Sequence, residues 1–294
     1  MKIFLENVNL HSNGGPNSFA KKLIPNVISS GHSFGDISES DVSLCFIESP
    51  RKKTLPRIQR LDGIYYNIRF NFEEQNKNIK TTYDESDSVI FQSEYGRELV
   101  ENFFGVHKKS AVIHNGTDLE SIFKSKALPI DKTNRKIWCC AASWRPHKRL
   151  SENIRYFLEH KGPNDLLLIA GDVKEKFKDN SICYLGTISQ ERLYSLYKAA
   201  DYFLHLAWLD CCPNVVVDAR ACGAQIICSD SGGTKEIAGL DAIIIKEKEW
   251  NFTPVDLYNP PKLNFTKTFD NSLNSVYDMK TVADLYIEQM KELL

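Results

Sequence analysis

Three short stretches hold residue types that could manage a phosphorylated ligand. Arg145 and Lys148 lie three apart in Ser143-Trp144-Arg145-Pro146-His147-Lys148-Arg149. A guanidinium grips phosphate oxygens bidentately and an ammonium adds a compact point charge, so the pair suits a diphosphate. Two cations at a helix start are slightly disfavoured by the macrodipole, which favours a bound anion over two solvated side chains. The second stretch, residues 208–236, carries Asp210, Asp218 eight residues later, and the turn Ser231-Gly232-Gly233-Thr234. A carboxylate accepts both protons of a vicinal diol, which Asp218 could offer a ribose; taken alone, the two aspartates read better as a helix cap and a solvated helix carboxylate, since acidic residues are common near helix starts. The third is Asn13-Gly14-Gly15-Pro16-Asn17-Ser18, where glycines permit a tight turn and a helix N-terminus follows. It lacks the spaced glycines of a dinucleotide fingerprint, so a purely structural turn fits as well.

The elements that must position these residues follow from apolar periodicity. An apolar strand over residues 2–9 precedes the first turn, and a helix with Phe19, Leu23, Ile24, Val27 and Ile28 on one side closes near Gly31. Strands are expected over 41–48, 88–92 and from 110, with a short one within 58–66 that ends at Arg60-Leu61-Asp62-Gly63, and a helix over 95–104. Residues 118–134, rich in Lys, Ser and Asp, have the composition of an interdomain connection. A second series follows, with strands over 136–141, 166–170, 182–185 and 202–207 and helices over 150–159, 190–200 and 214–222. Pro213 opens the last of these and Gly223 ends it, so Asp218 falls on its second turn while Asp210 stays on the preceding loop. A short helix over 234–238 and an amphipathic one over 280–294 complete the pattern. Strands separated by helices of this length give parallel, doubly wound sheets, whose ligands sit at the carboxyl ends of the strands.

With 294 residues the chain is long enough for two domains of ordinary size. Its 37 basic and 38 acidic residues leave a formal charge of -1, which argues against a nucleic-acid binder. The segment Arg51-Lys52-Lys53 with Arg57 and Arg60 reads as a solvated loop, the alternative being a face for an anionic acceptor or membrane surface. No apolar run approaches membrane-spanning length, and residues 1–6 read as a strand rather than a secretory leader. Eight cysteines without CxxC spacing fit reduced, buried thiols, which implies a cytoplasmic setting with at most peripheral membrane association.

Taken together, these motifs resemble the GT-B glycosyltransferases of the family 4 type, in the glycosyltransferase group 1 superfamily. The likeness is strongest over residues 138–236 and weaker at 13–18, 60–63 and 112–118. It implies an α/β fold of two Rossmann-like, doubly wound parallel-sheet domains facing a central cleft. The expected layout is an acceptor-side domain over 1–118, a linker over 119–134, a nucleotide-sugar domain over 135–278, and a closing helix over 279–294 that returns to the first domain. The family's interdomain Asn-Gly-x-Asp is matched by Asn115-Gly116-Thr117-Asp118, and its first Gly-Gly turn by Gly14-Gly15. The resemblance implies that Arg145 and Lys148 hold the donor diphosphate, with Ser143 on the same loop. The family's Glu-x7-Glu pair is matched by Asp210, meeting the donor sugar, and Asp218, meeting the ribose; each is one methylene shorter. Cys212, Pro213, Asn214 and Val215 would offer backbone amides, with Gly232 and Gly233 nearby. Where many relatives carry a histidine near the reacting carbon, this chain has Arg60-Leu61-Asp62, making Arg60 a substrate-binding candidate and Asp62 a catalytic one.

The implied activity is transfer of a hexosyl group from a UDP- or GDP-sugar to a glycan, protein-linked glycan or lipid-linked acceptor, with retention of configuration and with neither metal nor cofactor. Two alternatives are a catalytically silent sugar-nucleotide-binding protein and a GT-B nucleotide-sugar epimerase or hydrolase.

Overall fold

A computed structural model describes residues 1–12, 14–268 and 277–294, so Asn13 of the opening turn and residues 269–276 of the second expected domain lie outside the described residues. The chain divides into two units. The first comprises Met1–Asp118, Asn251–Val255 and the C-terminal helix; the second comprises Leu119–Trp250 and the described residues from Asp256 to Thr268.

In the first unit the strands are β1 (Lys2–Glu6), β2 (Ser33–Phe34), β3 (Val42–Phe46), β4 (Arg57–Leu61), β5 (Ser88–Phe91) and β6 (Ser110–Val112). They form one parallel sheet in the order β2-β1-β3-β4-β5-β6. Strands β3, β4 and β5 are buried along their whole length, as expected where helices cover both faces of a parallel sheet. Helix α1 (Gly15–Ser29) starts at Gly14 with Pro16 in its first turn, where a missing N–H costs nothing, and buries Phe19, Ala20, Leu23 and Val27. Ile28, expected on the apolar face, is 54% exposed. Helix α3 spans Glu94–Phe104 and is capped by Ser93, whose hydroxyl accepts from the Gly96 amide.

Helix α2 (Phe72–Glu85) has no counterpart in the apolar pattern, because Asn76, Ile79, Thr82 and Tyr83 form its buried side. Asn76 serves the Tyr65 backbone with both ends of its amide, so polar residues do the inward packing.

The basic segment is corrected by the structure. Arg51 and Lys52 are exposed, but Arg57 and Arg60 lie on central strand β4 and are buried. Arg57 pairs with Glu6 at 3.2 Å, both side chains at most 3% exposed. Arg60 lies 4.0 Å from the Phe19 ring centroid and donates to the Tyr286 hydroxyl at 3.0 Å and to Asn115 Oδ1 at 2.8 Å.

The second unit opens with α4 (Leu119–Lys124) inside the expected linker. That stretch is bound into the unit, since the Leu128 amide donates to the Ser195 carbonyl at 2.8 Å and Lys198 Nζ to the Ser125 carbonyl at 2.7 Å. The strands are β7 (Ile137–Ala141), β8 (Leu166–Ala170), β9 (Ile182–Gly186), β10 (Tyr202–His205), β11 (Gln225–Ser229), β12 (Ile243–Ile245) and β13 (Lys267–Thr268). Helices α5 (Leu150–His160), α6 (Gln190–Ala199), α7 (Asn214–Ala221) and α8 (Thr234–Ile237) connect them. The sheet order is β13-β12-β11-β10-β7-β8-β9, parallel except for β13. The chain winds outward one way through β8 and β9 and the other way through β10, β11 and β12. The topological switch point therefore lies between β7 and β10.

The final helix α9 (Met279–Lys291) packs on α1 in the core of the first unit, with Tyr286 and Phe19 ring centroids 5.6 Å apart. Gly116 makes its entry possible: a Cβ there would lie 2.9 Å from the Met279 Cα. Thr117 then exchanges backbone hydrogen bonds with Tyr277 and Met279. Residues 251–255 also belong to the first unit rather than to the domain expected over 135–278, through backbone bonds joining Val255 to Tyr66 and Ile68.

Candidate functional site

The loops that follow β7 and β10 flank the switch point of the second sheet, and each brings one charged residue to it. The loop after β7 makes a short 3-10 turn over Pro146–Lys148 and enters α5 through Arg149, which has φ 49°. Arg149 is 2% exposed; its guanidinium grips Glu247 with both terminal nitrogens and donates to the Pro261 carbonyl at 2.8 Å. That anchor fixes the backbone carrying Lys148, while Ser143 and Arg145 on the same loop are exposed.

The loop after β10 is fastened on both sides. The Trp208 amide donates to the His147 carbonyl at 2.7 Å, tying it to the β7 loop. On the other side the Leu209 amide donates to Ser231 Oγ at 3.1 Å, and the Gly233 amide to the Asp210 carbonyl at 2.9 Å. Gly232 has φ 81°, and Asp210 and Gly232 form an isolated parallel bridge. The Gly233 N–H is thus spent on Asp210, and the turn opens a helix of only four residues. Gly232 and Gly233 hold the Asp210 loop in place.

At the centre, Asp210 Oδ2 accepts from Lys148 Nζ and from His205 Nε2, the latter at 2.8 Å. Burial alone would raise the Asp210 carboxyl, but the Lys148 ammonium and the His205 hydrogen bond outweigh it and hold the group well below the usual carboxylate range. Burial pulls His205 below its ordinary value despite the neighbouring carboxylate. His147 is lowered to about 4 by burial and by Lys148. At neutral pH two uncharged imidazoles therefore accompany one ion pair.

Asp218 sits on the second turn of α7, as its sequence position requires, and is 3% exposed. Its Oδ2 accepts from Gln190 Nε2 at 3.0 Å, at the start of α6. Cys212 and Pro213 are buried, and Asn214 and Val215, the first residues of α7, are half-buried.

Four candidates belong to the first unit. Gly14 caps α1 and Gly15 begins it. Arg60 is 1% exposed and engaged with Asp62, Asn115 and Tyr286, so its assignment as a substrate ligand gives way to a structural one tying β4 to α9. Asp62, at 16% side-chain exposure, is the ion partner of Arg60.

Sequence reasoning missed His205, His147 and Gln190. His205 had a usable signal, since it ends an apolar strand five residues before Asp210. His147 was in view between Arg145 and Lys148, but its burial was not; its Nδ1 is enclosed without a hydrogen-bond partner.

Residues 122–251 match the family model described as Glycosyl transferases group 1. No curated protein matches the sequence. Among solved structures, the chain is similar to Alr3699/HepE of Anabaena in complex with UDP-glucose, at 14% identity and a TM-score of 0.72, covering 99% of this chain and 100% of that one. A glycosyltransferase from Rickettsia africae shows 13% identity and a TM-score of 0.66 over 99% and 98% of the two chains. Sucrose-phosphate synthase of Thermosynechococcus elongatus gives 12% and 0.66 over 84% and 86%. The match to the glycosyltransferase group 1 model falls almost wholly in the second unit, and the chain shares the GT-B fold of these structures.

Proposed function

We propose that the protein transfers a hexosyl group from a UDP- or GDP-sugar to a glycan or lipid-linked acceptor, retaining anomeric configuration and using no metal. The observation that carries this reading is the Lys148–Asp210–His205 cluster at the switch point of the second sheet. Lys148 exchanges Asp210 for the donor diphosphate, and Arg145, exposed on the same loop, adds a second cation. Asp210, released from Lys148, accepts from sugar hydroxyls, and Asp218 accepts from the ribose. As the bond between the anomeric carbon and the diphosphate oxygen breaks, the leaving group takes the electron pair and the two cations stabilise its charge, the task a metal performs elsewhere. The acceptor oxygen bonds to the same face of the anomeric carbon and passes its proton to the departing diphosphate oxygen. Alr3699/HepE, which was crystallised with UDP-glucose, supports a uridine donor.

Thermal shift with UDP- and GDP-sugars tests the donor, because a ligand at a hundred times its dissociation constant adds about 2.7 kcal/mol of stability. A shift with one base, and turnover when an acceptor is supplied, is expected. No shift with any donor refutes the reading, and consumption of donor without acceptor points to a hydrolase or epimerase.

A further inference from the structure

We infer that His205 is a positioning residue for the donor sugar: its Nε2–H fixes the Asp210 carboxylate once Lys148 has turned to the diphosphate. This rests on the function proposed above. His205 ends strand β10, is 4% exposed, and lies nearly parallel to the Phe203 ring, with an interplanar angle of 11°. It is thus a rigid donor mounted on the sheet. Asp210 stands on a loop just after Leu209, which has φ 56°. It has a shorter side chain than glutamate, with fewer torsions to set but less reach. Its Oδ2 is shared by Lys148 and His205.

Two partners on one oxygen have unequal futures when a nucleotide sugar binds. A diphosphate competes for the ammonium, so that contact is exchangeable. The imidazole is enclosed and has no competing anion, so it stays. Without it, a largely buried carboxylate would lose its cation and be left unpaired, which is costly, and its free oxygen would have no set direction. Burial keeps the ring neutral at physiological pH, so it donates one N–H without adding a charge that would bind Asp210 too tightly for sugar hydroxyls.

A merely structural histidine predicts equal losses for nucleotide and nucleotide sugar; a positioning histidine predicts a loss specific to the sugar. The test compares wild type, His205→Leu and His205→Gln for binding of UDP and UDP-glucose, and of GDP and GDP-mannose, by calorimetry. With the base that the wild type binds, His205→Leu should weaken nucleotide-sugar binding by about ten- to a hundredfold, the range for a hydrogen bond to a charged group. The nucleoside diphosphate should change by less than about twofold, and His205→Gln, which keeps an N–H near the same place, should recover most of the loss. Equal weakening of both ligands, or failure of the glutamine to recover, overturns the inference while leaving the donor site intact. If the wild type binds none of the four, the functional reading fails first and the inference falls with it. Should His205→Leu not fold, His205→Asn takes its place, with the same criteria applied.

Discussion

Gly232→Ala is a sharp test of how the loops around Asp210 are built. Gly232 has φ 81°, and an added Cβ would lie 2.5 Å from the Asp210 carbonyl oxygen, 2.8 Å from its amide nitrogen and 3.1 Å from the Leu209 carbonyl carbon. All three atoms are backbone, so no side-chain rotation relieves the contact. The left-handed conformation alone costs an L-residue about 1–2 kcal/mol, and loss of the Gly233 to Asp210 hydrogen bond adds about 1 kcal/mol. Together these give about 2–3 kcal/mol before any wider repacking. Gly31→Ala supplies the control, because Gly31 has φ 83° with nothing within 4 Å of the added Cβ. Urea denaturation of both variants separates conformational strain from collision. Gly232→Ala should be less stable than Gly31→Ala by about 1 kcal/mol or more, and should also lose nucleotide-sugar binding as Asp210 is pushed away from His205. Equal destabilisation of the two variants, with donor binding intact in both, would refute the claim that Gly232 seats the Asp210 loop.

Other outcomes follow from particular pairs. Lys148→Ala or Arg145→Ala should lower turnover by about two to three powers of ten, as removal of an oxyanion donor does; a folded variant with normal turnover removes that residue from the diphosphate clamp. Glu6→Leu removes the buried partner of Arg57 and leaves it only Glu85 at 3.6 Å, a side chain 48% exposed, so it should cost up to about 3–5 kcal/mol in urea denaturation, with a loss below about 1 kcal/mol counting against the pair. His147, lowered from 6.5 to about 4, binds its proton more readily in the unfolded chain. Its contribution is therefore fully present above pH 6.5 and is lost as pH falls through 4, amounting to about 3 kcal/mol. Denaturation at pH 7.5 and pH 4.5 should show less of that decline in His147→Gln, and the same decline in both proteins would rule the assignment out.

The α/β alternation was legible because strands such as Leu166–Ala170 are unbroken apolar runs separated by helices of clear period. Helix α2 was not, because Asn76 and Thr82 face inward and their hydrogen bonds, invisible to a hydropathy count, make them good core residues. Arg57 and Arg60 were misread for a related reason. A charge run is normally solvated, but on a fully buried strand each guanidinium found partners far away in sequence, Glu6 and Tyr286 among them. The brief return of residues 251–255 to the first unit rests on backbone pairing with Tyr66 and Ile68, which leaves no trace in composition. In the candidate site, Lys148 and Asp210 were each legible from residue type and loop position. Their union was not, since it brings together loops 62 residues apart across the β7/β10 switch point.

That union alters the electrostatic argument made from sequence. Arg145 and Lys148 suggested two cations waiting for an anion, yet one of them already has a carboxylate partner, so anion binding at Lys148 is an exchange rather than a simple capture. An exchange selects its ligand. If Lys148 binds phosphate as proposed, inorganic phosphate displaces Asp210 from it but offers the freed carboxylate no comparable set of hydroxyl donors. On the proposed function, a nucleotide sugar replaces both halves of the broken pair, diphosphate for the ammonium and hydroxyls for the carboxylate. Removing the carboxylate should therefore loosen the selection: Asp210→Asn, which frees Lys148 from its ion pair, should strengthen binding of inorganic phosphate or a nucleoside diphosphate relative to the nucleotide sugar. Competition between phosphate and the nucleotide sugar measures this directly, and an unchanged ratio of affinities would mean that the pair does not gate the site.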